Sequence, residues 1–161
     1  MSDNLVMPKY VDTLKKNELK TYNAIISLLD ASYADNHIKT KEVEINAIHE
    51  LTGATTPTIK RHIKAIKDKG LLLDVVIIDY TAKYVLDLFR DLYRKAYSMD
   101  YEPTNYVGDI TQLSRLIKKY ERKELESLLQ YAVLSYRVKF ANEAYPMPTI
   151  GIMCSWCLER A

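Results

Sequence analysis

Glycine, proline, cysteine and tryptophan are all scarce in this 161-residue chain, at four, five, two and one copies. So little glycine and proline excludes a collagen-like or Pro/Gly-rich low-complexity architecture. Two cysteines, Cys154 and Cys157, are too few for a disulfide framework, so a reducing, cytoplasmic setting is the expectation. No apolar run approaches the roughly 18 residues that cross a bilayer, and no membrane association is expected. The first ten residues mix Asp3, Asn4 and Lys9 with few apolar side chains, unlike a secretory leader. Neither sign of charge dominates: 23 basic against 21 acidic side chains leave a net +2. Nucleic-acid binding, if present, has to come from local clustering. There is no Gly-rich phosphate loop, no Ser/His/Asp arrangement and no paired carboxylates, so neither an enzyme nor a bound cofactor is expected.

What is present is a composition of 48% hydrophobic and 27% charged residues, ordinary for a globular chain and incompatible with wholesale disorder. The pattern reads as mainly α, with a change of character near residue 79. Residues 1–16 read as an N-terminal arm, 17–78 as one domain and 79–161 as a second helical module. In the first domain, Leu19, Tyr22, Ile26 and Leu29 recur at helical spacing over Asn17 to Ala34. Asn17 is the expected cap, Asp35-Asn36-His37 the expected end, and Ile38-Lys39 a short strand. A second helix is expected from a cap at Thr40, burying Val43, Ala47, Ile48 and Leu51 and stopping before Gly53, which suits a left-handed helix end. Thr56 then caps a third helix with Pro57 in its first position, where a missing N–H costs nothing. Ile59, Ile63 and Ile66 form its buried face, Gly70 ends it, and the aliphatic run Leu71 to Ile78 suits a strand.

This order, and the segment Ala47-Ile48-His49-Glu50-Leu51-Thr52-Gly53-Ala54-Thr55-Thr56-Pro57-Thr58-Ile59-Lys60-Arg61-His62-Ile63, resembles the winged helix-turn-helix of bacterial DNA-binding proteins. The resemblance covers about the first half of the chain. A wing is a β-hairpin, however, and no Gly, Asn or Pro turn follows Ile78, so the wing is read as reduced or missing.

The third helix carries the charge cluster. Between Gly53 and Gly70 lie Lys60, Arg61, Lys64, Lys67 and Lys69 against one acid, Asp68. With the isoleucines inward, Arg61 and Lys64 point away from the core, with Thr58 beside them. Lys60 and Lys67 fall on one flank, placed for phosphates. A recognition helix docks in this way, with base-reading residues between backbone-holding cations. Arg61 is the expected base reader, because its planar fork matches guanine O6 and N7. Thr55 and Thr56 are expected to bond a phosphate. The same charges also fit an ordinary solvated helix face. His62 falls at the edge of the core and is read as structural, while His37 and His49 are read as surface residues.

The second half is charge-balanced and holds ten of the thirteen tyrosines. Four helices are expected: Tyr80 to Met99, a segment capped by Asp109, Glu124 to Asn142, and a last one capped by Thr149 after Pro146 and Pro148. Their apolar stripes include Val85, Leu88, Phe89, Leu92 and Ala96; Ile110, Leu113, Leu116, Ile117 and Tyr120; and Leu125, Leu128, Leu129, Ala132, Val133, Tyr136 and Phe140. Together they make a small helical bundle. Cys154 and Cys157 form a C-x-x-C pair with no second pair for zinc and no βαβ context for redox work, so both are read as core thiols. Tyr120, Tyr131, Tyr136 and Tyr145, interspersed with Lys118, Lys119, Arg122, Arg137 and Lys139, fit either base stacking or core and interface packing.

Ile152-Met153-Cys154-Ser155-Trp156 resembles part of the Tyr-x3-Ile-x3-Trp signature of DnaD-type primosome modules, with Ile152 and Trp156 in register and Pro148 at the tyrosine position. The whole layout is similar to phage and Gram-positive replication initiators. The resemblance implies a double-stranded-DNA-binding protein of replication initiation or helicase loading, self-associating or engaging a replicative helicase or its loader. A transcriptional regulator dimerising through its C-terminal helices, and an interaction adaptor that binds no DNA, are the alternatives.

Overall fold

The computed structural model describes residues 11–36 and 41–161, which are mainly helical. The chain divides into two compact units, Met1–Asp79 and Tyr80–Ala161.

In the first unit, a short 3-10 turn at Val11–Thr13 leads into α1, Lys16–Asn36. Val11 and Leu14 are buried with Tyr22, Ile66 and Leu71. The end of the segment expected to be a free arm is therefore part of the core. Helix α1 begins one residue before the expected Asn17 cap. The Lys15 backbone N–H donates to Glu18 Oε2 at 3.0 Å, the reach-back half of a capping box. Asn17 sits inside the first turn, where its carbonyl accepts from Thr21 Oγ1. Helix α1 continues through Asp35 and Asn36, the first two residues of the expected stop; His37, the Ile38-Lys39 strand and the Thr40 cap lie outside the described residues.

A strand, β1 (Glu42–Glu44), comes directly before α2 (Ile45–Thr52). Val43 is thus buried from a strand rather than a helix. The helical phase starts at Ile45, so α2 buries Ile45 and Ile48, and Leu51 is left 53% exposed instead of in the core. Gly53 ends α2 at φ 70°, with its N–H on the His49 carbonyl. Helix α3 runs Thr56–Asp68, with Thr55 rather than Thr56 in the capping position. Pro57 is still harmless, since first-turn N–H groups have no helical partner. At the far end, Gly70 at φ 78° donates to the Lys67 carbonyl, and Leu71 N–H reaches the Ile66 carbonyl. This is a Schellman ending, and Leu71 packs with Ile66 as that motif favours.

The expected eight-residue strand shrinks to β2, Val76–Ile78. Leu71 is taken by the helix ending, Leu72 adopts φ 54°, and Leu73 is 68% exposed in the turn that follows. Strands β1 and β2 pair in parallel, Val43 opposite Ile77. A parallel pair needs a crossover, and α2 with α3 supply it. Helix α1 packs on both α2 and α3. Among the described residues no third strand follows β2: Thr81 instead caps α4, accepting from Tyr84 N–H.

The second unit is built from α4 (Ala82–Tyr97), α5 (Tyr106–Lys119), α6 (Arg122–Lys139) and the short α7 (Ile150–Ile152), which continues as a π-turn over Met153–Cys157. Its core holds the expected stripes and, in addition, Leu86 and Tyr93. Asn105, not Asp109, caps α5, accepting from Gly108 N–H. Asp109 lies in the first turn, buried, and accepts from Tyr101 Oη at 2.9 Å. Tyr101 also stands edge-on to Phe89, with centroids 4.8 Å apart, and burial raises its pKa. Helix α6 begins at Arg122, two residues before the expected Glu124, with the Arg122 guanidinium buried on Glu126. Helix α6 stops at Lys139, and Thr149 caps α7 through Ile152 N–H.

Gly70→Ala is expected to destabilise the first unit by about 1–2 kcal/mol, and Gly70→Asn by less, in urea unfolding. An added Cβ meets nothing within 4 Å there, so the whole cost is the positive φ. A second prediction concerns pH. The Lys15 backbone N–H, aided by the Lys69 ammonium, holds the Glu18 carboxyl below its ordinary pKa despite its burial. Its contribution is therefore fully present above the unfolded carboxyl pKa and is lost as pH falls through the lower folded value. Glu18→Gln should lower the urea midpoint near neutral pH and lose that difference from wild type in acid.

Candidate nucleic-acid interface

The face that α3 shows to solvent is decided by what its other face buries. Ile59 and Ile66 are fully buried, Ile63 nearly so, and His62 beside them is only 8% exposed. Thr21 of α1 holds the His62 ring, with Oγ1 2.8 Å from Nδ1. Thr21 Oγ1 also lies 3.2 Å from the Asn17 carbonyl, so one hydroxyl links the His62 ring to the α1 backbone. The expectation that His62 is structural matches this arrangement. His49 is exposed, with Nδ1 2.8 Å from the Ala54 carbonyl.

The predicted site residues divide into three groups. Thr55 and Thr58 lie at the start of α3, their hydroxyls 3.1 Å apart, with Thr56 half-buried between them. Lys60 is exposed but ion-paired with Asp79, and the Lys67 ammonium donates to the Val75 carbonyl at 2.8 Å. Lys67 therefore braces the segment leading into β2 rather than standing free for a phosphate. Lys69, on the same helix ending, donates to the Thr13 carbonyl and pairs with Glu18 at 3.1 Å. Arg61 and Lys64 form the third group. Both are exposed, and neither makes a hydrogen bond or ion pair among the described residues. At about 100° per residue they sit together opposite the isoleucines, with the exposed Asp68 on the same side.

A groove of about 570 Å³ runs beside this face, lined by Lys15, Lys16, Asn17, Glu18, Arg61 and His62. The sequence did not signal it. Lys15 and Lys16 lie more than forty positions from Arg61, and only the packing of α1 on α3 brings them to one wall.

The second unit treats its aromatics unevenly. Tyr136 is wholly buried and its hydroxyl donates to the Tyr145 carbonyl, so it is a core residue and not a base-stacking platform. Tyr120 is half-buried. Tyr131 and Tyr145 are exposed, and the Lys139 ammonium sits 4.5 Å from the Tyr131 ring centre. Ile152 is buried, while the Trp156 side chain lies outside the described residues. Burial pushes the Cys154 thiol up to about 12 and the Cys157 thiol up to about 11, values at which neither is an effective nucleophile near neutral pH. Among the described residues no group of His, Cys, Asp and Glu is placed to hold a metal ion, and no helix is long and apolar enough to cross a membrane. No known protein-family model, curated protein or solved structure matches the chain, so the interface stands on its geometry alone.

Proposed function

We propose that this chain is a sequence-specific binder of double-stranded DNA that acts in replication initiation or helicase loading. The first unit is read as a helix-turn-helix that works without a wing. Helix α3 enters the major groove, and the C-terminal helical unit engages a second copy of the chain or a replication protein.

One observation carries the reading: among the described residues, Arg61 and Lys64 stand exposed and without a partner on the outward face of the second helix of a tight helix pair. Three of the five cations are used internally, and the remaining two share the outward face with a single acid, Asp68. Thr55, at the leading end of α3, would meet the sugar-phosphate edge as the helix enters, with Thr58 nearer the Arg61 and Lys64 face. Lys60 adds to this surface at small expense, since an exposed ion pair such as Lys60–Asp79 contributes only about 0–1 kcal/mol and is easily exchanged for a phosphate.

The test is a polarisation titration of the full chain with a labelled mixed-sequence duplex, followed by selection of bound fragments from a random pool. Arg61→Gln combined with Lys64→Gln should weaken duplex binding at least about tenfold at moderate salt. Lys67→Gln should instead lower stability while leaving affinity within about twofold, because that ammonium is spent on a carbonyl. Absence of any duplex binding at low salt would reject the reading in favour of a protein-interaction adaptor.

A further inference from the structure

The groove at the start of α1 gives Arg61 a different partner from the one its position on α3 suggests. Three cations from two segments distant in sequence, Lys15, Lys16 and Arg61, line it, all exposed and none bonded to another side chain among the described residues. Three cations against one acid leave an excess of like charge that a bound anion would relieve. The one acid in the wall, Glu18, is already engaged by the Lys15 backbone N–H and by Lys69, which approaches from the helix ending of α3. Asn17 and His62, the latter held by Thr21, complete the lining. A guanidinium and two ammonium groups along one groove suit the tetrahedral oxygens of a phosphate, with the guanidinium fork able to take two of them.

We propose that this groove seats one phosphodiester of the bound DNA, clamped between Arg61 of α3 and Lys15 and Lys16 at the start of α1. The proposal rests on the DNA-binding reading above and refines it. Arg61 becomes a backbone-holding residue that sets the angle of α3 in the major groove, and base reading falls to Lys64 and Thr58. The clamp ties the duplex to α1 as well as to α3. That second anchor is one a helix-turn-helix without a β-hairpin otherwise lacks.

Two measurements on the full chain test this. The first is the dependence of duplex affinity on salt between about 50 and 200 mM, where each lost phosphate contact lowers the slope by about 0.9. Lys15→Gln with Lys16→Gln, and separately Arg61→Gln, should each lower the slope by about one, weaken all duplex sequences alike, and combine less than additively because they share one phosphate. The second is titration with inorganic phosphate, followed by backbone and side-chain NMR. Shifts at Lys16, Asn17 and Arg61 that the duplex reproduces are the expected result.

Four results would overturn the proposal. If Arg61→Gln relaxes sequence preference with an unchanged slope, Arg61 reads bases. If phosphate shifts these resonances but the lysine variants keep the wild-type slope, the groove takes a free anion and not the DNA backbone. If neither ligand perturbs them, there is no anion site. If the wild-type chain binds no duplex, the DNA reading itself fails, and the phosphate titration still reports separately whether the groove holds an anion.

Discussion

The packing of Ile59, Ile63 and Ile66 of α3 against α1 orients everything else on the first unit. Truncating one such buried isoleucine typically costs about 2–5 kcal/mol, a large share of the total stability of a small domain. No alternative rotation of α3 can compete with that, so the helix has only one outward side. Thr21 and His62 add a polar latch to the same seam, and a buried hydroxyl and imidazole left unpaired there would be costly. The rotation of α3 in turn decides where every cation goes.

Five basic residues on and just beyond α3 meet different fates, although a charge count treats them as one cluster. Lys60 faces Asp79, Lys67 reaches the Val75 carbonyl, and Lys69 holds Thr13 and Glu18. These three stitch α3 to the segments before α1 and around β2. What remains is a narrower surface than the +4 segment suggests, and it extends sideways onto α1 rather than along α3. The absence of a β-hairpin after β2 has a matching cause. The parallel pairing of β1 with β2 is completed by the crossover through α2 and α3, and the next residues are committed to capping α4.

In the second unit, tyrosine serves mainly as a packing residue with a polar tip. Phe89, Tyr93, Tyr97 and Tyr101 form a chain of tilted and edge-on rings between α4 and the loop before α5. Their hydroxyls are put to use: Tyr97 on the Val133 carbonyl, Tyr101 on Asp109. A ring that also satisfies a buried acceptor adds apolar area and direction together. This explains why the unit is rich in tyrosine yet exposes few of its rings.

Much of the helical architecture was legible from residue spacing, because the 3.6-residue period of apolar side chains is a local property. The isoleucine face of α3, the left-handed glycines at 53 and 70, the structural role of His62 and the Thr149 cap could all be read from neighbours within a turn or two. The edges were less legible. Helix starts moved from Asn17, Thr56 and Asp109 to positions one to a few residues earlier, because neighbouring residues at a helix start share the same local signals. The run from Leu71 to Ile78 reads as one strand by composition, yet the helix ending and the turn at Leu72 divide it. The groove joining Lys15 and Lys16 to Arg61, and the internal pairing of Lys60, Lys67 and Lys69, were beyond the reach of the sequence. They depend on which helix lies beside which, and that is settled only when distant apolar faces find each other.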